Sequence, residues 1–192
     1  MTYKSTILRS SFWFHESKKT AQYMLDGLTK KEIIEISINE NAYQTTSIQR
    51  SKDIVSYTYN RLNVYPKEVL KILLKTDVTT AKIIVLISIM TYDQLFFEFM
   101  NEVYKEHILF GKNTLTPDDV DHFLKNKKNR SDIVFNWSKT IFPRLRSKYL
   151  SILRDADVLD NKNMIKIPFI SFQVQELLKK NNFENFLNIF II

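Results

Sequence analysis

Apolar side chains recur along most of the chain at the three-to-four-residue spacing of helices. Ala21, Met24, Leu25 and Leu28 share one face of a helix predicted over 15–28, with Gly27 near its end. Thr29, with Glu32 three residues on, reads as a capping box opening a second helix, "TKKEIIEISIN". After the polar turn "NAYQTTS", Ser47 or Thr46 caps a third, in which Ile48, Ile54, Val55, Tyr59 and Leu62 repeat at about helical period. Pro66 restarts the chain as "PKEVLKILLKT", and residues 79–109 form the most apolar segment, the predicted centre of a bundle. Thr116, Pro117, Asp118 and Asp119 are a strong start signal for another helix: a cap, a proline at the first helical position, and acids at the positive end of the dipole. "KNKKNR" then reads as an unpatterned basic connection.

From Ser131 the pattern changes. Ser131 caps a short helix through Trp137, and Thr140 caps a longer one over 140–156 with Phe142, Leu145, Tyr149, Ile152 and Ala156 on one face. "VLDNKNMIKIPF" offers two short β-prone runs around the turn-rich Asp160–Asn163. Helix, turn, helix and hairpin is the order of a winged helix-turn-helix. The expectation is a mainly α protein: an N-terminal helical bundle, residues 1–115, followed by a winged-helix-like C-terminal part with a short β-hairpin, residues 116–192. A last helix over 171–181 and the tail "FLNIFII" return to the core.

Composition agrees with this pattern. Two glycines and four prolines in 192 residues leave little material for hairpins or phosphate-cradling loops, and the hydrophobic fraction of 44% is ample for a core. Cysteine is absent, which excludes disulfides, zinc fingers, iron–sulfur clusters and thiol catalysis and suits a reducing cytoplasm. The N-terminal stretch has no continuous apolar core of signal-peptide length, so secretion is not expected. "AKIIVLISIMTYDQLFFEFM", residues 81–100, carries Asp93 and Glu98 and reads as a buried helix, not a membrane span.

Charge adds a location. Residues 125–154 hold nine basic residues against the single acid Asp132, a local net charge of +8 in a chain of +7, so the remainder sums to −1. From Lys139 to Arg154 no acid intervenes, whereas a merely solvated helix would intersperse acids to form pairs one turn apart. Lys139, Arg144, Arg146 and Lys148 on the longer helix, with Lys127, Lys128 and Arg130 before it, are therefore candidate phosphate contacts on duplex DNA. Arg50 and Lys52, beside the hydroxyls of "TTSIQRSKD", form a second candidate at a helix N-terminus.

Catalytic chemistry is not indicated. His15, His107 and His122 are scattered without metal-ligand or nucleophile spacing, and the Asp155, Asp157, Asp160 group lacks the glycine and distal glutamate of a calcium loop. There is no P-loop, nucleophile elbow or glycine fingerprint. The expectation is a binding protein with no cofactor, no metal and no enzymatic activity.

"IIEISINENAYQTTSIQRSKDIVSYTYNRL", then "TTAKIIVLISI", "FFEFMNEVY", "LTPDDVDHFLKNK" and "WSKTIFPRLRSKYLSILRDADVL" resemble, in that order, the BrxA family of the bacteriophage-exclusion (BREX) defence systems. The resemblance covers roughly Ser10 to Asp160. It implies a small, largely helical, non-enzymatic cytoplasmic protein associated with double-stranded DNA. Such a protein acts beside other BREX components, which include an adenine-specific DNA methyltransferase, a large ATPase and an alkaline-phosphatase-like protein. The family's likeness to helical RNA-binding antitermination factors keeps RNA open as the ligand. A scaffold docking an acidic partner on the same basic surface is the other alternative.

Overall fold

The computed structural model describes residues 3–191. A 3-10 turn, Thr6–Arg9, leads into α1 (Phe14–Leu25), α2 (Lys30–Asn39), α3 (Ile48–Leu62) and α4 (Lys67–Lys75). The helix starts follow the capping chemistry of the sequence. Both halves of the Thr29/Glu32 box form at α2, and the Ser47 hydroxyl accepts the Arg50 amide at 3.0 Å to open α3. Others start without a side-chain cap: α1 from Trp13, a non-glycine residue held at φ 52°, and the helix Ile141–Asp155 from Thr140, which is itself helical and does not form the expected cap.

α5 (Val78–Tyr92) is the core helix. Ten of its fifteen residues are buried, on all sides of the helix rather than on one stripe. Each fully buried aliphatic contributes roughly 1.5–3 kcal/mol relative to exposure. Asp93 ends it in extended backbone, and its carboxylate accepts the Phe96 amide at 2.9 Å to start α6 (Gln94–Phe99). α6 passes through a π turn, Met100–Tyr104, into α7 (Lys105–Leu109). The two arms, Val78–Tyr92 and Gln94–Leu109, are bent by 117°, and no single described helix is long and apolar enough to cross a membrane.

α8 (Pro117–Arg130) opens on the Thr116 capping box and runs further than expected. "KNKKNR" is its last two turns, not a connection. The run contains no breaker, and cations at a helix C-terminus are favoured by the dipole. α9 (Asp132–Phe135) and α10 (Ile141–Asp155) follow, then α11 (Phe172–Lys180) and α12 (Glu184–Leu187). α8 and α10 pack together, and the buried Tyr149 of α10 stacks on Phe96 and Phe99 at 4.9 and 5.1 Å, with Phe123 of α8 5.4 Å from Phe99. One apolar core extends from Ile7 to Phe190. A smaller one, of Trp13, Ile33, Tyr43, Ile54 and Val55, joins α1, α2 and α3.

The expected β-hairpin and winged-helix-like part are not found: the described residues contain no β-strand. Residues 158–166 form a tight turn with isolated antiparallel bridges, Leu159 to Ile165 and Thr114 to Met164. Two cross-turn backbone bonds form, from the Lys166 amide to the Val158 carbonyl and from the Asp160 amide to the Met164 carbonyl. The Asp160 carboxylate takes the amides of Lys162 and Met164 into the turn, and Pro168 has no amide with which to extend the pairing.

Candidate nucleic-acid interface

The basic residues that look alike in sequence have different fates. Lys127 is an internal tie: its ammonium lies 2.5 Å from Glu98 and 2.7 Å from Glu102, across from the π turn. Burial alone would lower its pKa, but the two glutamates hold it protonated and raise it. Arg146 pairs with Asp121 of α8 at 2.6 Å. Lys128 lies over the rings of Phe135 and Phe142, at 5.6 and 5.5 Å. Arg130, Lys139, Arg144 and Lys52 are exposed.

The remaining residues come together through contacts that no local pattern announces. The segment Ser10–Trp13 threads between α3 and α10, gripped from both sides by cations. Arg61 of α3 donates to the Ser11 carbonyl at 2.9 Å and the Ser10 hydroxyl at 2.5 Å. Lys148 of α10 donates to the Ser10 carbonyl at 2.8 Å. Arg50 lies 4.9 Å over the Trp13 ring. Burial lowers the Lys148 pKa, and the charges of Arg61, Arg50 and Arg144 push it down further against the opposing Asp155. Arg50 and Arg144, from helices nearly a hundred positions apart, thus act on one ammonium. Arg50 and Lys148, which belong to the two candidate sites read separately from the sequence, contact the same segment, Ser10–Trp13.

α10 exposes Pro143, Arg144, Ser147, Ser151 and Asp155, a polar stripe whose side chains between Arg144 and Asp155 are only short hydroxyls. Arg50, Arg144 and Lys148 have no carboxylate within ion-pair distance among the described residues. Sequence reasoning missed Arg61, whose pKa burial lowers to about 10, and Arg9, close enough to Tyr57 to act on its hydroxyl. Both belong to tertiary contacts of the N-terminal segment, for which a linear pattern carries no signal.

Of the groups considered for other chemistry, two aspartates and one histidine have structural partners. Asp157 pairs with Lys82, and Asp160 closes its turn. His107 is buried, with Nδ1 2.8 Å from the Thr114 carbonyl and Nε2 3.5 Å from Asp119. It lines a cleft of about 340 Å³ between α7 and α8 that also holds Glu102, His122 and Arg130. No group of three or more metal-ligating side chains is present among the described residues.

The BrxA family's sequence profile matches residues 1–182. The chain belongs to the BrxA family. It is 36% identical over 180 residues to a BREX protein BrxA of Bacillus cereus (strain H3081.97), covering 92% of this chain and 90% of that one. This places it among the components of BREX anti-phage systems. The fold matches a crystal structure of an uncharacterized protein from Magnetospirillum magneticum, with a TM-score of 0.81 and 22% identity, over 98% of this chain and 97% of that one. That likeness shows that the BrxA chain's helical arrangement recurs without close sequence similarity.

Proposed function

We propose that this BrxA-family chain serves its BREX system as a DNA-binding component rather than an enzyme, gripping the phosphates of duplex DNA in the cytoplasm. The face is formed by the start of α3 and the polar stripe of α10, with Arg50, Arg144 and Lys148 at its centre and Lys52, Lys128, Arg130 and Lys139 as outlying contacts. The observation that carries the reading is that Arg50, over the Trp13 ring, and Lys148, on the Ser10 carbonyl, bring cations of α3 and α10 onto one short segment, with no carboxylate within ion-pair distance of Arg50, Arg144 or Lys148 among the described residues. Cations forced together in this way repel one another, and a phosphate relieves that repulsion. Phosphate contacts of this kind supply affinity and register with little sequence preference.

The test is a fluorescence-anisotropy titration of a labelled duplex across a salt series, with matched RNA as competitor. Salt-sensitive binding that RNA competes poorly is the expected result. Arg50→Gln and Arg144→Gln should each shallow the slope of log K against log salt by about 1. Unchanged slopes in both variants remove this face from the interface, and stronger competition by RNA replaces duplex DNA as the ligand.

A further inference from the structure

Between the end of α8 and the start of α10 stands α9, a single short turn of helix in which every residue after Asp132 is apolar. Val134 alone points inward: it is fully buried, and the Ser131 hydroxyl accepts its amide. Ile133 is 43% exposed and Phe135 62%. Isolated exposed apolar side chains are ordinary, so the surroundings decide. The Lys128 ammonium lies 5.6 Å over the Phe135 ring and 5.5 Å over the Phe142 ring, and Trp137 packs on Phe142 at 6.4 Å. Phe135 therefore projects from a packed base, and Arg144 of the proposed DNA face follows Phe142 by two residues.

Charge selects the occupant. α9 packs on α8, and Lys128 ties its ring to Phe142 of α10. Over this stretch Lys125, Lys128, Arg130, Lys139 and Arg144 face the single carboxylate Asp132, with Lys127 already committed to Glu98 and Glu102. The other acids of α8 and α10 do not reach the ring. Asp121 is paired with Arg146, and Asp118, Asp119 and Asp155 lie toward the opposite ends of their helices, on the order of 15–20 Å along the axis. An aromatic side chain ringed by cations suits a polyanion with an apolar interior, which is what a stacked duplex offers. The exposed part of Phe135, on the order of 100 Å², is too little to hold a lipid surface but matches one base step, where stacking on an aromatic ring is worth roughly tenfold in affinity per base. Apolar wedges of this kind part base steps and kink the duplex. We propose that Phe135 is such a wedge: it enters a base step of the bound duplex, unstacks it and bends the DNA, while Lys128 and Arg130 hold the flanking phosphates. This wedge presupposes the duplex binding proposed above and adds a preference to it, since pyrimidine–purine steps unstack most easily.

The experiment titrates the full-length chain into a short duplex whose single TA step carries 2-aminopurine, a fluorescent adenine analogue quenched by stacking. Saturating protein should raise its fluorescence several-fold, and an end-labelled duplex should report the bend as increased energy transfer. Phe135→Ala should abolish both signals and weaken binding about tenfold with the salt slope unchanged, whereas Arg144→Gln should shallow the slope and keep both signals at saturation. Phe135 is exposed, so its alanine variant should retain the wild-type unfolding midpoint, which separates a lost wedge from lost folding. Duplex binding without a fluorescence rise, or a rise that survives Phe135→Ala, overturns the wedge and leaves the duplex reading standing. No binding at low salt overturns both. Flotation with phosphatidylcholine–phosphatidylserine vesicles that Phe135→Ala abolishes also overturns the wedge, assigning the ring to a membrane surface.

Discussion

Lys127 and Arg144 show how much a single residue's meaning depends on what faces it. Lys127 sits between Glu98 and Glu102, and Glu98 also takes hydrogen bonds from Tyr3 and Gln94 at 2.8 and 2.9 Å. Burial by itself would raise the Glu98 pKa, but these donors outweigh it and hold the carboxylate below its ordinary range. Lys127→Gln should therefore cost about 1–3 kcal/mol in urea denaturation, because a half-buried carboxylate loses its strongest donor. The DNA salt slope should stay where it is. The same network makes the wild type lose stability as pH falls through the Glu98 pKa, and the variant should lose less. The charge excess of residues 125–154 was legible in the sequence, but not which cations were free. The pairing of Lys127 with Glu98 spans 29 positions and that of Arg146 with Asp121 spans 25, distances at which local pattern carries no information.

At the scale of elements, beginnings were legible and endings were not. Thr29, Ser47 and Thr116 announce α2, α3 and α8 because a cap is a bond between neighbours three residues apart. The end of α8 lay within a run read as a connection, and the hairpin stops at a turn closed by the Asp160 carboxylate on the Lys162 and Met164 amides. The left-handed start of α1 at Trp13 follows directly on the segment whose Ser10 and Ser11 are held by Arg61 and Lys148, contacts of long sequence separation. A cap can also bear on function. Ser47 fixes the first turn of α3, which carries Arg50 and Lys52, so Ser47→Ala should cost about 0.5–2 kcal/mol of stability. It should also weaken duplex binding modestly without changing the salt slope, since the charges remain but their placement loosens. A slope altered as much as in Arg50→Gln would mean that the cap does more than position them.

For the molecule as a whole, the proposed binding face and the core are linked through one buried polar group. Asp93 terminates α5, starts α6 and lies in the field of Arg61, which in turn holds the N-terminal segment against α3 and beside Lys148. Burial raises the Asp93 pKa to about 6, against the Phe96 amide and Arg61, which favour its charge. Between the unfolded carboxylate value near 4 and about 6, the folded state binds the extra proton, so this group's contribution falls as pH rises through that window and is at its least favourable above it. An asparagine in this position would keep the cap on Phe96 and carry no charge at any pH. The stability of Asp93→Asn relative to wild type should therefore shift upward by on the order of 2–3 kcal/mol between pH 4 and pH 7, read from urea midpoints and slopes at both values. An offset that is constant with pH would show that Arg61 fully stabilises the Asp93 charge, and that the buried arginine is held as one half of an ion pair. The expected shift would instead identify Arg61 as a cation placed chiefly to clamp Ser10 and Ser11, with its positive field directed toward the face where Arg50, Arg144 and Lys148 meet.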